Sequence, residues 1–283
     1  VFSKSGYEVT FIDVNKAVVN EINEKKKYPV RILKGDTYED TWVEPVNAVD
    51  GSVVENVVKA ITEADIMATA VGVNILKFIA EPIANGLIGR WNSGVSKPLD
   101  IILCENLIGA DSFMRNKIGE YMNDEQKALL NERVGFVEAS IGRMVPVQTP
   151  EMQDGNMLRV CVEEYSALPV DSEAFKGGIP DLVNLVPYSP FDYYISRKLF
   201  IHNMGHAMTA YLGSLLGCDY IYEAIAVPEV EMLVMRAMLE SSMALSQKYD
   251  VPFKLIYANV EDLLRRFANR QLKDTVARVG GDI

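Results

Sequence analysis

The chain has 283 residues, 49% of them hydrophobic and 24% charged, and 28 basic against 39 acidic side chains give it a net charge of −11. This is the composition of a globular protein able to bury a substantial core in one large or two moderate domains. The acidic balance argues against nucleic acid and anionic membranes as partners, and no apolar run has the length of a membrane span.

Val1 opens in what reads as the tail of a helix ending at Gly6, so the chain is expected to begin inside a fold. Residues 8–13 read as a buried strand closing on Asp13, followed by a helix over 16–26 and alternating apolar residues at Val30, Ile32 and Leu33. A helix over 54–63 leads to a strand over 65–72 with small residues at its end, then a helix over 75–87 and a strand over 99–104. Strand and helix alternate, which predicts a parallel sheet covered on both faces. Residues 158–170 read as a strand pair or an edge strand, and the glycines at 177 and 178 mark a loop. From about residue 189 the pattern changes to long helices, over 191–216, 229–248 and 260–269. Cys104, Cys161 and Cys218 are far apart and odd in number, as expected of reduced thiols, and Cys104 lies in an apolar run as a small buried hydrophobe. With no basic-then-apolar leader at the start, a cytoplasmic location is expected.

In such a sheet ligands lie beyond the carboxyl ends of the strands. Three ends carry plausible contacts: Asp13, the Thr69-Ala-Val71-Gly72 turn, and Cys104-Glu105-Asn106. An acid at Asp13 would accept both hydroxyls of an adenosine ribose and repel a 2′-phosphate, favouring NAD over NADP. A strand-end turn former is the alternative for Asp13. The glycine-rich fingerprint of dinucleotide binding is not seen, because too few residues precede Gly6.

The decapeptide KLFIHNMGHA at 198–207 sets an amine, an amide and an imidazole on one helical segment. At about 100° per residue, Asn203 lies about 140° and His206 about 80° round from Lys198, so the three share a broad face. That face suits oxidation of an alcohol, with a neutral Lys198 taking the hydroxyl proton, Asn203 donating to the oxygen that gains charge and His206 orienting the hydroxyl. The alternative is a solvated lysine, a surface amide and a satisfied core histidine. A metal reading of His202 and His206, four apart, is weaker: Asn203 stands where a zinc helix carries glutamate.

The segments SGYEVTFIDVN (5–15), TAVG (69–72), CEN (104–106), VGFV (134–137), RMVP (143–146), the 198–213 helix and LKDTVARVG (272–280) resemble the polyol-specific long-chain dehydrogenase/reductase family over nearly the whole chain. The resemblance implies a Rossmann-type doubly wound parallel-sheet domain over 1–187, lacking its first strand and glycine-rich turn. A mostly α-helical substrate domain over 188–283, itself cut short, would follow. It implies Lys198 as general base, Asn203 and Asn106 as an oxyanion-stabilising pair, His206 on the reacting hydroxyl and Arg278 on substrate. Asp13, Thr69, Val71, Gly72 and Glu105 would serve NAD. The implied reaction is metal-independent, reversible oxidation of D-mannitol 1-phosphate to D-fructose 6-phosphate by a monomer rather than an oligomer. Arg197, Arg278 and Lys273 are phosphate candidates on charge alone. Gly142 departs from the family, whose members carry aspartate before the arginine of RMVP. A sister activity on a free polyol or a hexuronate, or a silent dinucleotide-binding protein, are the competing readings.

Overall fold

A computed structural model describes residues 1–281. In chain order its strands and helices begin with β1 (Val9–Asp13), α1 (Lys16–Lys25), β2 (Tyr28–Lys34), β3 (Thr37–Val43), β4 (Val46–Asp50), α2 (Val54–Glu63), β5 (Met67–Thr69) and α3 (Val73–Asn92). They continue with β6 (Leu99–Leu103), α4 (Ala110–Gly119), α5 (Asp124–Arg133), β7 (Val134–Glu138), α6 (Pro150–Gln153), β8 (Val160–Glu163), β9 (Leu168–Asp171) and β10 (Leu185–Tyr188). Then come α7 (Asp192–Arg197), a π-helical segment (Lys198–Asn203), α8 (Met204–Leu215), α9 (Ile221–Ile225), α10 (Pro228–Tyr249), α11 (Phe253–Phe267) and α12 (Val276–Gly281).

Contacts divide the chain into two units. The first comprises Val1–Pro29, Trp42–Ile141 and Ala167–Phe191, and the second comprises Val30–Thr41, Gly142–Ser166 and everything from Asp192 onward. Residues 30–41 and 142–166, expected with the nucleotide-binding half, thus pack with the later helices.

The first unit is parallel throughout its named strands. β1 pairs with β4, β6 lies between β5 and β7, and β9 pairs with β10. Side chains alternate across β6. Ile101 and Leu103 join Ile61 of α2, Leu76 and Leu87 of α3, Met114 of α4 and Phe136 of β7, whereas Ile102 joins Val137, Ala139 and Val170 on the opposite face. Both faces are covered, and each of these large apolar side chains contributes roughly 1.5–3 kcal/mol by leaving water. α3 runs past the expected stop at 87 because Arg90 is buried, donating from Nη1 to the Thr62 and Ala64 carbonyls at 2.7 and 2.8 Å. The C-terminal carbonyls of α2 are satisfied in this way. β1 is not the buried strand expected: Thr10 and Ile12 face outward, Ile12 at 41% exposure.

In the second unit a sheet ordered β3-β2-β8 accompanies the helices. β8 and β9 are not partners, as the sequence suggested; β8 pairs with β2 and β9 with β10. Among the helices, α8 packs on α9, α10 and α12. Gly213 permits the first and last of these contacts, since a Cβ there would lie 2.6 Å from Ala224 Cβ and 3.3 Å from Val276 Cγ2. Alanine's methyl has no rotamer to move, so the backbone would have to shift. Gly213→Ala gains about 1 kcal/mol of helix propensity and loses about 1–3 kcal/mol to overpacking. The expected outcome is a lower thermal midpoint; an unchanged or higher one would contradict this packing.

Candidate active site

The helix expected over 191–216 is three pieces. Between α7 and α8 the chain widens into the π-helical segment, where the Met204 N–H donates to the Leu199 carbonyl five residues back. A π turn takes more residues per turn than an α turn, so residues five apart are less far round the axis. The wider turn brings Lys198 and Asn203 nearer to one side than the roughly 140° of a regular α-helix would. Sequence periodicity missed this because a π turn needs no distinctive residue type.

Burial lowers the Lys198 pKa from its ordinary value by penalising the ammonium. His202 is pushed down to about 3, first by burial and then by the nearby positive charges of Arg266, His206, Lys198 and Arg197. It is a neutral imidazole at any physiological pH. Among the described residues, no three His, Cys, Asp or Glu side chains are grouped as metal ligands.

His206 stacks on Phe267, ring centroids 4.9 Å apart and planes 8° from parallel. Its Nε2 is buried 3.1 Å from Asp274 Oδ2, within ion-pair distance but off the line of a good hydrogen bond. Arg278 Nε donates to Asp274 Oδ1 at 2.8 Å, and Nη2 reaches the same oxygen. Burial would raise the Asp274 pKa, but His206 and Arg278 outweigh it and the net shift is downward. Asp274 thus links two residues singled out from sequence, and was itself overlooked. Its signal was the aspartate–arginine spacing of four in 274–278, readable as a helical pair. The phosphate candidates differ in setting: Arg278 is on this acid, Arg197 lies over the Tyr194 ring at 4.4 Å, and Lys273 is exposed at a left-handed turn.

Another acid that sequence reasoning missed supports this helical cluster. Glu163, 2% exposed, accepts Arg266 Nε–H at 2.8 Å and a second Arg266 contact through Nη2, together with the Met144 N–H. Its carbonyl accepts Arg143 at 2.9 and 2.6 Å. The Gly142 carbonyl also accepts from Arg266, whose guanidinium lies 4.3 Å over Tyr165. Gly142 therefore contributes its backbone to this network, and a Cβ there would only touch Tyr165, at 3.4 Å.

In the first unit, Glu105 is buried behind the turn after β5. Its two oxygens accept the Val71 and Gly72 N–H groups, each at 2.9 Å. Those N–H groups are committed to Glu105, which shapes the turn that starts α3. Gly72 sits at φ +86° and ψ 146°, a conformation costly for any other residue, with open space where a Cβ would be. The Thr69 hydroxyl is buried without a partner at the end of β5. Asn106 follows Glu105 and is exposed. Asp13 ends β1 and accepts the Asn15 N–H at 2.8 Å, the turn-forming role weighed for it. Cys104 is inert as a thiolate, since burial pushes it up to about 12.

Residues 1–184 match the mannitol dehydrogenase Rossmann domain and residues 191–282 the mannitol dehydrogenase C-terminal domain. The chain belongs to the mannitol dehydrogenase family. It is 38% identical over 277 residues to mannitol-1-phosphate 5-dehydrogenase of Bacillus licheniformis, covering 98% of this chain and 72% of that one. Two solved structures share the fold. These are Pseudomonas fluorescens mannitol 2-dehydrogenase in a ternary complex with NAD and D-mannitol (TM-score 0.75, 16% identity) and a substrate-free D-sorbitol dehydrogenase (TM-score 0.84, 14% identity). Each alignment covers 96% of this chain, which spans 64% and 66% of those relatives. The family's two-part build, a parallel-sheet domain followed by helices, is the one expected from sequence.

Proposed function

We propose that the protein carries out the NAD-dependent, reversible oxidation of D-mannitol 1-phosphate to D-fructose 6-phosphate, with Lys198 as general base. The observation that carries this reading is a lysine whose burial lowers its pKa, set on a π-helical segment five residues before Asn203 and eight before the Asp274-linked His206. The named activity of the 38% identical relative supplies the substrate.

Neutral Lys198 accepts the proton of the reacting hydroxyl, and returns it in the reductive direction. Asn203 donates to the oxygen as charge builds on it, and the family resemblance gives Asn106 the same role; such donors lower the barrier by stabilising that charge. His206 orients the hydroxyl, and Arg278 receives the anionic substrate, with Arg197 and Lys273 as further candidates for its phosphate. NAD, when bound, supplies the hydride acceptor. Asp13, Thr69, Val71 and Gly72 would hold it. They suit a dinucleotide, since the Thr69 hydroxyl is an orphaned buried donor and no side chain fills the space beside Gly72. Glu105 acts behind them through the turn it fixes.

A carboxylate at Asp13 repels a 2′-phosphate. The expected result is at least about tenfold better use of NADH than NADPH, narrowed by Asp13→Ser; steady-state kinetics with both coenzymes measures it. Equal use of the two would remove Asp13 from the cofactor site.

A further inference from the structure

Asp274 has no part in the chemistry described so far, yet it contacts two of the groups that do. It is largely buried, with a side-chain exposure of 12%, and its two oxygens are divided between neighbours: Oδ1 takes the Arg278 guanidinium and Oδ2 faces His206 Nε2 at 3.1 Å. A neutral imidazole has one N–H and one lone pair, and the partner of one nitrogen decides the state of the other. An ionised carboxylate can only accept. We propose that Asp274 is a positioning residue that holds His206 as the Nε2–H tautomer, leaving Nδ1 as the ring atom that accepts the reacting hydroxyl.

Two further observations bear on it. Phe267 lies flat against the His206 ring, which restricts rotation of the ring out of that plane. Arg278 binds through two nitrogens and fixes the carboxylate's own orientation, four residues along on the start of α12. Nε2 and Oδ2 stand at contact distance without hydrogen-bond alignment, which in a free enzyme does not exclude the pairing. The competing account is that Asp274 merely pairs with Arg278 at the start of α12, which would leave the ring's protonation indifferent to it. The role of Nδ1 rests on the function proposed above; the tautomer does not.

The test is nitrogen-15 NMR of the imidazoles at about pH 9, where an unperturbed ring is neutral. There are two histidines, so His202→Gln assigns the His206 signals. The wild-type ring is expected to show a protonated Nε2 and a pyridine-type Nδ1. In Asp274→Asn the amide can turn its own N–H toward the ring and shift the proton to Nδ1, and kcat is expected to fall roughly 10–100-fold. In a His206→Ala background the same substitution should cost no further kcat at saturating substrate, since that effect passes through the ring and the release of Arg278 is read in KM. A wild-type ring protonated at Nδ1, an unchanged tautomer in Asp274→Asn, or losses that multiply in the double variant would each overturn the proposal. Should Asp274→Asn fail to fold, Asp274→Ser removes the carboxylate in its place, and a wild-type ring protonated at Nδ1 still overturns the proposal. Absence of fructose 6-phosphate turnover in the wild type would defeat the functional reading alone and leave the tautomer measurable.

Discussion

Lys198→Ala is expected to lower turnover by roughly 10²–10⁴-fold while NADH continues to bind, because the amine acts on the substrate's proton and not on the cofactor. Lys198→Arg should be nearly as damaging, since a guanidinium stays charged at any working pH and cannot accept the proton. The wild-type rate of polyol oxidation carries the same signature. Burial lowers the folded-state pKa of Lys198, so the base form accumulates as pH rises through that lowered value, below the ordinary 10.5. Oxidation should therefore accelerate with rising pH and reduction should slow, and Lys198→Ala should abolish that dependence. Steady-state rates across pH, with a fluorescence titration of NADH, measure all of this. A loss under tenfold in either variant would remove Lys198 as the base.

Glu163→Ala should lower stability by about 3 kcal/mol, because it takes the buried partner from the Arg266 guanidinium and leaves it only the longer, more exposed contact of Nη1 with Asp262 at 3.4 Å. Glu163 and Arg266 are 2% and 8% exposed, so solvent screening does little to soften the loss. The Met144 N–H loses its acceptor as well. On the scale of a chain this size, the thermal midpoint should fall on the order of 10 °C. Replacing both partners with methionine should cost less than Glu163→Ala alone, since no uncompensated charge then stays buried. Denaturation followed by circular dichroism tests both expectations. A Glu163→Ala midpoint within a degree or two of wild type would mean that the pair does not hold β8 to α11.

What the sequence revealed, and what it hid, follows from how each feature is encoded. The strands β1, β5 and β6 and the helices α1, α2 and α3 were legible because apolar periodicity changes between two and three-to-four residues there, whereas β3, β4, α4, α5 and β7 were not read. The Lys198, Asn203 and His206 group was legible because it lies within nine residues. Its true geometry was not: the π turn that brings Asn203 nearer to the side of Lys198 is set by backbone bonding, with no residue type to announce it. Asp274 lay in plain view four residues before Arg278, but its contact with His206 depends on α8 packing on α12. Glu163 and Arg266 are 103 positions apart, beyond any local spacing rule. The same holds for β8, whose parallel partner β2 lies far upstream in the chain. For Glu105, the strand-end position was read correctly and the contact was not, since its carboxylate turned inward to the Val71 and Gly72 amides.

The proposed reaction is tested most simply by the rate of NADH oxidation, with fructose 6-phosphate and fructose offered in parallel and Lys198→Ala as the control. Strong turnover of the phosphorylated ketose is expected, with little of the free sugar and none above background in the variant. Preference for free fructose would contradict this and move the chain to another substrate within the mannitol dehydrogenase family, while silence on both sugars would contradict catalysis itself.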